Sequence, residues 1–478
     1  MEKTEKKKTL INLSAKTFIQ VTVLLFVLML AAVVLTYVIP KGAFGVRADD
    51  TTDYLDYRPI ENASGIPIWK GLLAPILVFG SSNGLTLIML SLFLVMVFAA
   101  FQVMNDVGGI RALVGAVAAR FRKRRALLLC MIALVFMAFG AFLGLFEEML
   151  SMLPIVTALC VLIGYDSFTG FLVCIIACGF GFASAITNPF TVLLASEIIG
   201  ANPMEHIWYR FVIFAVMYLL LLGFLFLYVR KIRRDPSSSL TLAHDESLRA
   251  AGKTDGENAP APEVEKRIRL TYIVFLLVCL GLIITCSAVP ALRDYTVVVL
   301  IAYFLIFGLL AGFLSAGAVK PVLKSFLNGI VGALPTIVFI ALASSIKYIF
   351  DEGAIMPTIV HTINTVVSGQ SPFLVALVLY AIILVLEFFI SSSTAKAILV
   401  MGMLTVVSVP LSKQMLVLIY TFADGYTNVL FPTSPVLLIS LSMIGVDYFR
   451  WVKKSVPLFV CNLALVIAFI ALGIAFGY

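Results

Sequence analysis

Residues 126–163 read ALLLCMIALVFMAFGAFLGLFEEMLSMLPIVTALCVLI, apolar at both ends and interrupted in the middle by Gly140, Gly144, Glu147 and Glu148. Two complete bilayer crossings joined by a turn need more than about 40 residues, and a single crossing needs roughly 20. The stretch fits neither. Two half-depth helices meeting at a turn do fit, so 126–163 is expected to be a re-entrant hairpin with its tip near Leu145–Glu148. Irregular backbone at membrane depth is tolerated only inside protein or along a wet cavity, so a hairpin here implies a cavity.

Working outward, the rest of the chain suits the same setting. Its 478 residues are 62% hydrophobic and only 13% charged, where soluble domains carry about 25% charged residues. The formal charge of +8 is not a nucleic-acid footprint, because the basic residues flank apolar runs as cytoplasmic loops do. The seven cysteines fall inside apolar segments without disulfide or metal spacing, and the separation of His206, His244 and His361 argues against a histidine metal site. Lysines precede the first apolar run, Phe18 to Pro40, which reads as a retained first helix starting in the cytoplasm. A polar loop over 41–65, a second span over 85–103 and an amphipathic basic stretch over 111–125 follow. After the hairpin comes a span over 169–199, broken at Ser184-Ala185-Ile186-Thr187-Asn188-Pro189 because proline removes a backbone donor, and then a span over 208–227.

Residues 230–269 are rich in Ser, Asp, Glu, Lys and Pro and read as a disordered cytoplasmic linker. They divide a first half, 1–229, from a second, 270–478. The second half opens with one extra helix (270–289) and then repeats the order: spans over 296–313 and 331–348 around an amphipathic connector at 319–329, an apolar stretch over 372–410 broken at Ser391-Ser392-Ser393-Thr394, a long span over 415–444 broken by Asn428 and Pro432, and a last span over 455–477. The extra helix inverts the second half. The expected fold is therefore all-α: about nine transmembrane helices plus two opposed re-entrant hairpins, at 126–163 and 372–410, in an inverted-topology repeat. The N-terminus is expected in the cytoplasm and the C-terminus outside. Asn188-Pro189-Phe190-Thr191 resembles Phe431-Pro432-Thr433-Ser434, and His206–Arg210 stands before one last span as Asp447–Trp451 does before the other.

Four breaks, two per half, imply one shared site. Ionisable groups at membrane depth are functional candidates by default, which singles out Glu147 and Glu148. Two adjacent carboxylates are not both ionised cheaply there, so one is expected to hold a proton. Ser391, Ser392, Ser393 and Thr394, with Thr187, Asn188, Pro189, Thr427, Asn428, Thr433 and Ser434, supply hydroxyls, amides and open carbonyls. These suit a solute or a sodium ion, with Asn188 and Asn428 as candidate sodium ligands, or they simply satisfy broken-helix backbone. Lys396 could pair with Glu148 or Glu387, bind a carboxylate, or stand in a cation site as a tethered charge. With Glu387 and Asp424 counted, acids outnumber the single lysine, which favours a cationic or zwitterionic solute over a dianion. Asp166 reads as a helix cap.

Gly140-Ala141-Phe142-Leu143-Gly144-Leu145-Phe146-Glu147-Glu148-Met149, Gly164-Tyr165-Asp166-Ser167, Thr187-Asn188-Pro189-Phe190-Thr191, Arg234–Ser239 and Ala423-Asp424-Gly425-Tyr426-Thr427-Asn428 together resemble the YfcC-type branch of the DcuC-like carriers. That family is similar to the four-carbon dicarboxylate carriers and sits in the ion-transporter superfamily with the AbgT-type carriers. The resemblance implies a secondary transporter of the bacterial cytoplasmic membrane, not an enzyme. It implies an elevator-like movement, a homodimer, a small-molecule substrate, and Na+ or H+ as coupling ion with no other cofactor. Its members carry arginine and ornithine in exchange, dicarboxylates or peptides. One departure stands out: the family often has a glycine and a neutral residue after its serine-rich turn, where this chain has Thr394-Ala395-Lys396. Combined with the acidic excess, the reading is an amino acid carrier, basic amino acids first, with a C4-dicarboxylate or peptide carrier as the alternative. A channel and an intramembrane aspartyl protease built on Asp166 and Asp424 are more distant.

Overall fold

The computed structural model describes residues 15–46, 52–61, 64–82, 84–121, 123–246, 262–293, 295–367, 370–390, 393–404 and 410–478. Among them nine helices are long and apolar enough to cross a membrane. The number agrees with expectation but the membership does not. Arg125–Leu143 and Pro372–Phe389, expected as half-depth hairpin arms, are 19 and 18 residues long. The expected spans over 169–199 and 415–444 are instead pairs of shorter helices.

The arms are thus unequal. At about 1.5 Å per residue, an arm of this length reaches nearly across a ~30 Å core, whereas the second arms, Leu153–Leu162 and Ser393–Leu404, are 10 and 12 residues and reach about half-way. Apolar length alone could not locate the turn inside a continuous hydrophobic run. Nor do the first two arms close on each other: Arg125–Ala138 packs on Ala177–Ala183, while Leu153–Leu162 packs on Gly109–Phe121 and Ser167–Phe171.

The elements sort into two groups. Gly84–Asp106 packs along Val319–Glu352 and Thr296–Ala316; Ala15–Val38 joins on Val319–Glu352, and Pro262–Ala288 on Thr296–Ala316. The second group holds the two helix–break–helix units, the two broken spans (Ser167–Ala183 with Pro189–Ile199, and Lys413–Thr427 with Pro435–Met443), and the last helices of each half, Ile207–Arg234 and Tyr448–Phe476, which pack on each other. Its core packs large aromatic side chains, with Phe168, Phe171, Phe180, Tyr420 and Trp451 completely buried, around a few buried polar and charged ones.

Three further differences have physical causes. The connector at 319–329 and the span at 331–348 are one helix, Val319–Glu352, which keeps Pro335 inside it; in a membrane helix, neighbours can re-satisfy the backbone group that proline frees. The loop over 41–65 contains an antiparallel pair, Gly42–Val46 with Thr52–Pro59. The linker is shorter than 230–269, because one helix runs to Arg234 and the next begins at Pro262. Its first part is ordered, with Thr241 and Asp245 buried; the polar composition concealed this, because Asp245 docks on Ser167, 78 residues earlier. Residues 247–261 lie outside the described residues.

Candidate functional site

In the first half, Phe139–Leu143 forms a π turn and Gly144, at φ 68°, ends it in the left-handed region. A wide turn of this kind leaves carbonyls without their usual partners, and the break in the neighbouring span takes them up. Ile186 N and Thr187 N donate to Ala141 O at 2.9 and 3.2 Å, Thr187 Oγ1 to Phe142 O at 3.3 Å and Asn188 Nδ2 to Gly140 O at 3.2 Å. Asn188 Oδ1 accepts from Phe190 N at 2.9 Å and caps the helix restarting at Pro189. Asn188 is fully buried, and both ends of its amide hold backbone. As a sodium ligand its oxygen would have to serve twice. Cys174 and Cys178, four apart, donate their thiols to Met149 O and Leu145 O and so pack against the turn.

Beyond Gly144 the chain runs through Glu147–Ser151 as a 3-10 turn. Leu145, Phe146, Met149 and Leu150 are buried, while Glu147 is exposed and Glu148 half-buried. Glu148 Oε2 accepts from Phe146 N at 3.2 Å. Among the described residues neither glutamate has a salt-bridge partner. The turn Glu147–Ser151 packs on Pro435–Met443 of the second half, so the two halves approach each other here.

The second half fills its break with charge. Lys396 is fully buried; its Nζ is paired with Glu387 and lies 2.7 Å from Asp424 Oδ1. Asp424 Oδ2 accepts from Ser393 Oγ at 2.8 Å. Thr427 Oγ1 stands 3.1 Å from Glu387 Oε2, and Tyr420 OH donates to Ser393 O at 2.5 Å. Asn428 Nδ2 donates to Asp424 O at 3.0 Å. Ser434 caps the helix that restarts at Pro435, and Thr433 is buried beside it. Thr394 is exposed, and Ser391 and Ser392 lie outside the described residues. Of the partners expected for Lys396, Glu387 is found and Glu148 is not.

Asp166 caps its helix, accepting from Thr169 N at 2.8 Å and from Tyr228 OH and Ser239 Oγ at 2.5 and 2.6 Å. It is not brought together with Asp424, and so no aspartyl dyad forms. Asp245 accepts from Ser167 Oγ at 2.5 Å and Thr241 Oγ1 at 2.7 Å, docking the start of the linker on the turn that precedes the first broken span.

Sequence reasoning missed Arg210 and Trp451. Each lies in the first turn of the last helix of its half. Arg210 Nη1 donates to Ala185 O at 3.1 Å and Trp451 Nε1 to Val429 O at 3.0 Å; both acceptors lie in the breaks. The equivalence of His206–Arg210 with Asp447–Trp451 was a visible signal, but as a marker of register rather than of contact. The proline register shifts: Pro435, not Pro432, occupies the helix-opening place that Pro189 holds.

A multi-pass helical membrane protein whose helices break around buried charge is a membrane carrier in class. The chain belongs to the DcuC family, described as C4-dicarboxylate anaerobic carrier, which it matches over residues 18–475. It is similar to the "Putative basic amino acid antiporter YfcC" of Escherichia coli K12, with 26% identity over 396 residues covering 80% of this chain and 76% of that one. An uncharacterized protein of Haemophilus influenzae is 25% identical over 97% of both chains. Among solved structures, the YdaH transporter of Alcanivorax borkumensis covers 96% of this chain and 99% of its own at 14% identity and a TM-score of 0.46. MtrF of Neisseria gonorrhoeae, whose study describes a class of antimetabolite efflux pumps, covers 94% of each at 14% identity and a TM-score of 0.43.

Proposed function

We infer that this chain is a secondary active transporter that exchanges a cationic amino acid, of the arginine and ornithine type, with Glu147 and Glu148 as its anionic partners. The observation that carries the reading is the contrast in pairing. The lysine that could receive a dicarboxylate is already neutralised by Glu387 and Asp424, while the two carboxylates at the first turn form no salt bridge among the described residues. An uncompensated charge at membrane depth costs several kcal/mol, and an incoming guanidinium or ammonium relieves that cost. The name given to the Escherichia coli relative is in line with this.

The division into two packed groups of helices suits alternating access in which the group with the breaks moves as a unit against the other. The re-entrant, inverted arrangement, the homodimer, the cytoplasmic membrane and the side of each terminus belong to the same reading. The family description favours the second reading, C4-dicarboxylate exchange. Counterflow in liposomes loaded in turn with arginine, ornithine, succinate or a dipeptide decides between them. Arginine or ornithine should drive uptake of labelled arginine, and Glu148→Gln should lower that uptake by about ten-fold or more, a change of ~1.4 kcal/mol. Counterflow with succinate alone, or an unchanged Glu148→Gln, overturns the assignment.

A further inference from the structure

Lys396 stands where the second helix–break–helix unit meets the second broken span, and among the described residues its ammonium is paired with two carboxylates. Glu387 approaches from the end of Pro372–Phe389, Asp424 and Thr427 from the end of Lys413–Thr427, and Ser393 Oγ is hydrogen-bonded to Asp424. Lys396, Glu387, Asp424 and Thr427 are all buried. Two carboxylates and neighbouring hydroxyls at the ends of broken helices form the kind of donor set that holds a hard monovalent cation. Two ionised carboxylates this close in a medium of low dielectric need a positive charge between them. Here that charge is covalently attached to the chain.

We propose that Lys396 is a resident cation: its ammonium fills the place that an inorganic monovalent cation would occupy between Glu387 and Asp424, and the transport cycle needs no inorganic cation at this site. The proposal rests on the carrier reading above and extends it. A tethered ammonium is present at an effective concentration that no cellular salt matches, and it cannot leave with the solute. The charge of this site is therefore constant through the cycle. No ion gradient can be coupled through it, and exchange of one solute for another is the mode that requires none.

The test replaces the tether. Wild type and Lys396→Ala are purified, and their melting is followed in chloride salts of sodium, potassium, methylammonium and choline at equal ionic strength; neither readout needs a transported solute. Exchange of labelled arginine is then measured in liposomes in the same salts. Wild type should melt and exchange alike in all four. Lys396→Ala should be stabilised saturably by a small cation and not by choline, and its exchange should run about ten-fold or more faster with that cation than in choline. Where the variant does not accumulate, expression and extraction in the small cation should recover it, as should Lys396→Ala/Glu387→Gln, which carries one carboxylate fewer. Wild-type melting or exchange that depends on sodium or potassium overturns the proposal. So does a Lys396→Ala protein that no small cation stabilises or recovers. A cation-dependent melting shift in Lys396→Ala without arginine exchange by wild type upholds the resident cation and overturns the solute assignment.

Discussion

The two broken spans follow one plan with different chemistry. Each begins on a side-chain cap, Asp166 or Ser412, each restarts on a capped proline, Asn188–Pro189 or Ser434–Pro435, and each offers a carbonyl from its break to the last helix of its half. The first break is neutral and held by backbone, with its buried carboxylates, Asp166 and Asp245, placed at the start of the span. The second break carries Asp424, facing Glu387 and Lys396, while its opening cap is a serine. The difference teaches that the repeat conserves backbone interruption, which any carrier of this design needs, and leaves each half free to place charge. Under the proposed function, one half meets the solute while the other holds Lys396 between Glu387 and Asp424.

The two spans touch at Gly425 and Ala183. A Cβ on Gly425 would lie 2.1 Å from the Ala183 Cα, backbone against backbone. Gly425→Ala is expected to cost about 1–3 kcal/mol and to separate the two breaks, read as a lower melting temperature together with loss of counterflow. A stable, fully active variant would mean that the crossing is not needed. Gly144 has its own constraint, since its φ of 68° suits glycine and an added Cβ would meet Asn188 Oδ1 at 2.5 Å.

A smaller effect sharpens the contrast between a neutral and a charged break. Asn188→Ala removes a helix cap worth about 1 kcal/mol. It should lower melting while the melting stays insensitive to the kind of monovalent cation. Cation-specific stabilisation of wild type that disappears in Asn188→Ala would instead make Asn188 an ion ligand.

The smallest expected effect lies at the opening of the first span. Burial pushes the Asp245 carboxyl above its usual range, against the pull of the Ser167 and Thr241 donors. A carboxyl whose folded pKa is raised binds its proton more tightly in the docked state. Docking of the linker should therefore strengthen as pH falls below the raised value toward the ordinary aspartate range, and be at its weaker, constant level above the raised value. Asp245→Asn, neutral at every pH, should remove that dependence, followed by proteolysis within the linker at matched pH values. A dependence that survives in Asp245→Asn assigns it to another group, His244 first, whose pKa burial lowers.

Much of this was legible along the chain. Apolar runs interrupted by Gly, Pro, a Ser-Thr run and adjacent acids reported the four breaks, because a backbone interruption must be written in local residues. The linker's polar composition marked the division into halves but hid Thr241 and Asp245, because Asp245 takes its donor from Ser167, 78 residues earlier. The unequal arms were illegible because leucine and phenylalanine serve equally well in a full-length helix and in a half-length one.

The sequence by itself determined the membrane class, the repeat, the family resemblance and the residues able to carry charge into the bilayer, since these depend on composition and on neighbours within a turn or two. Only the tertiary structure decided which charges are spent. That Lys396 joins Glu387 and Asp424 rather than Glu148, that Asn188 is consumed by Gly140 and Phe190, and that Arg210 and Trp451 brace the breaks from the last helices all depend on how helices cross. Electrostatic pairing is set by separations of a few ångströms in space, and spacing along a chain does not encode them.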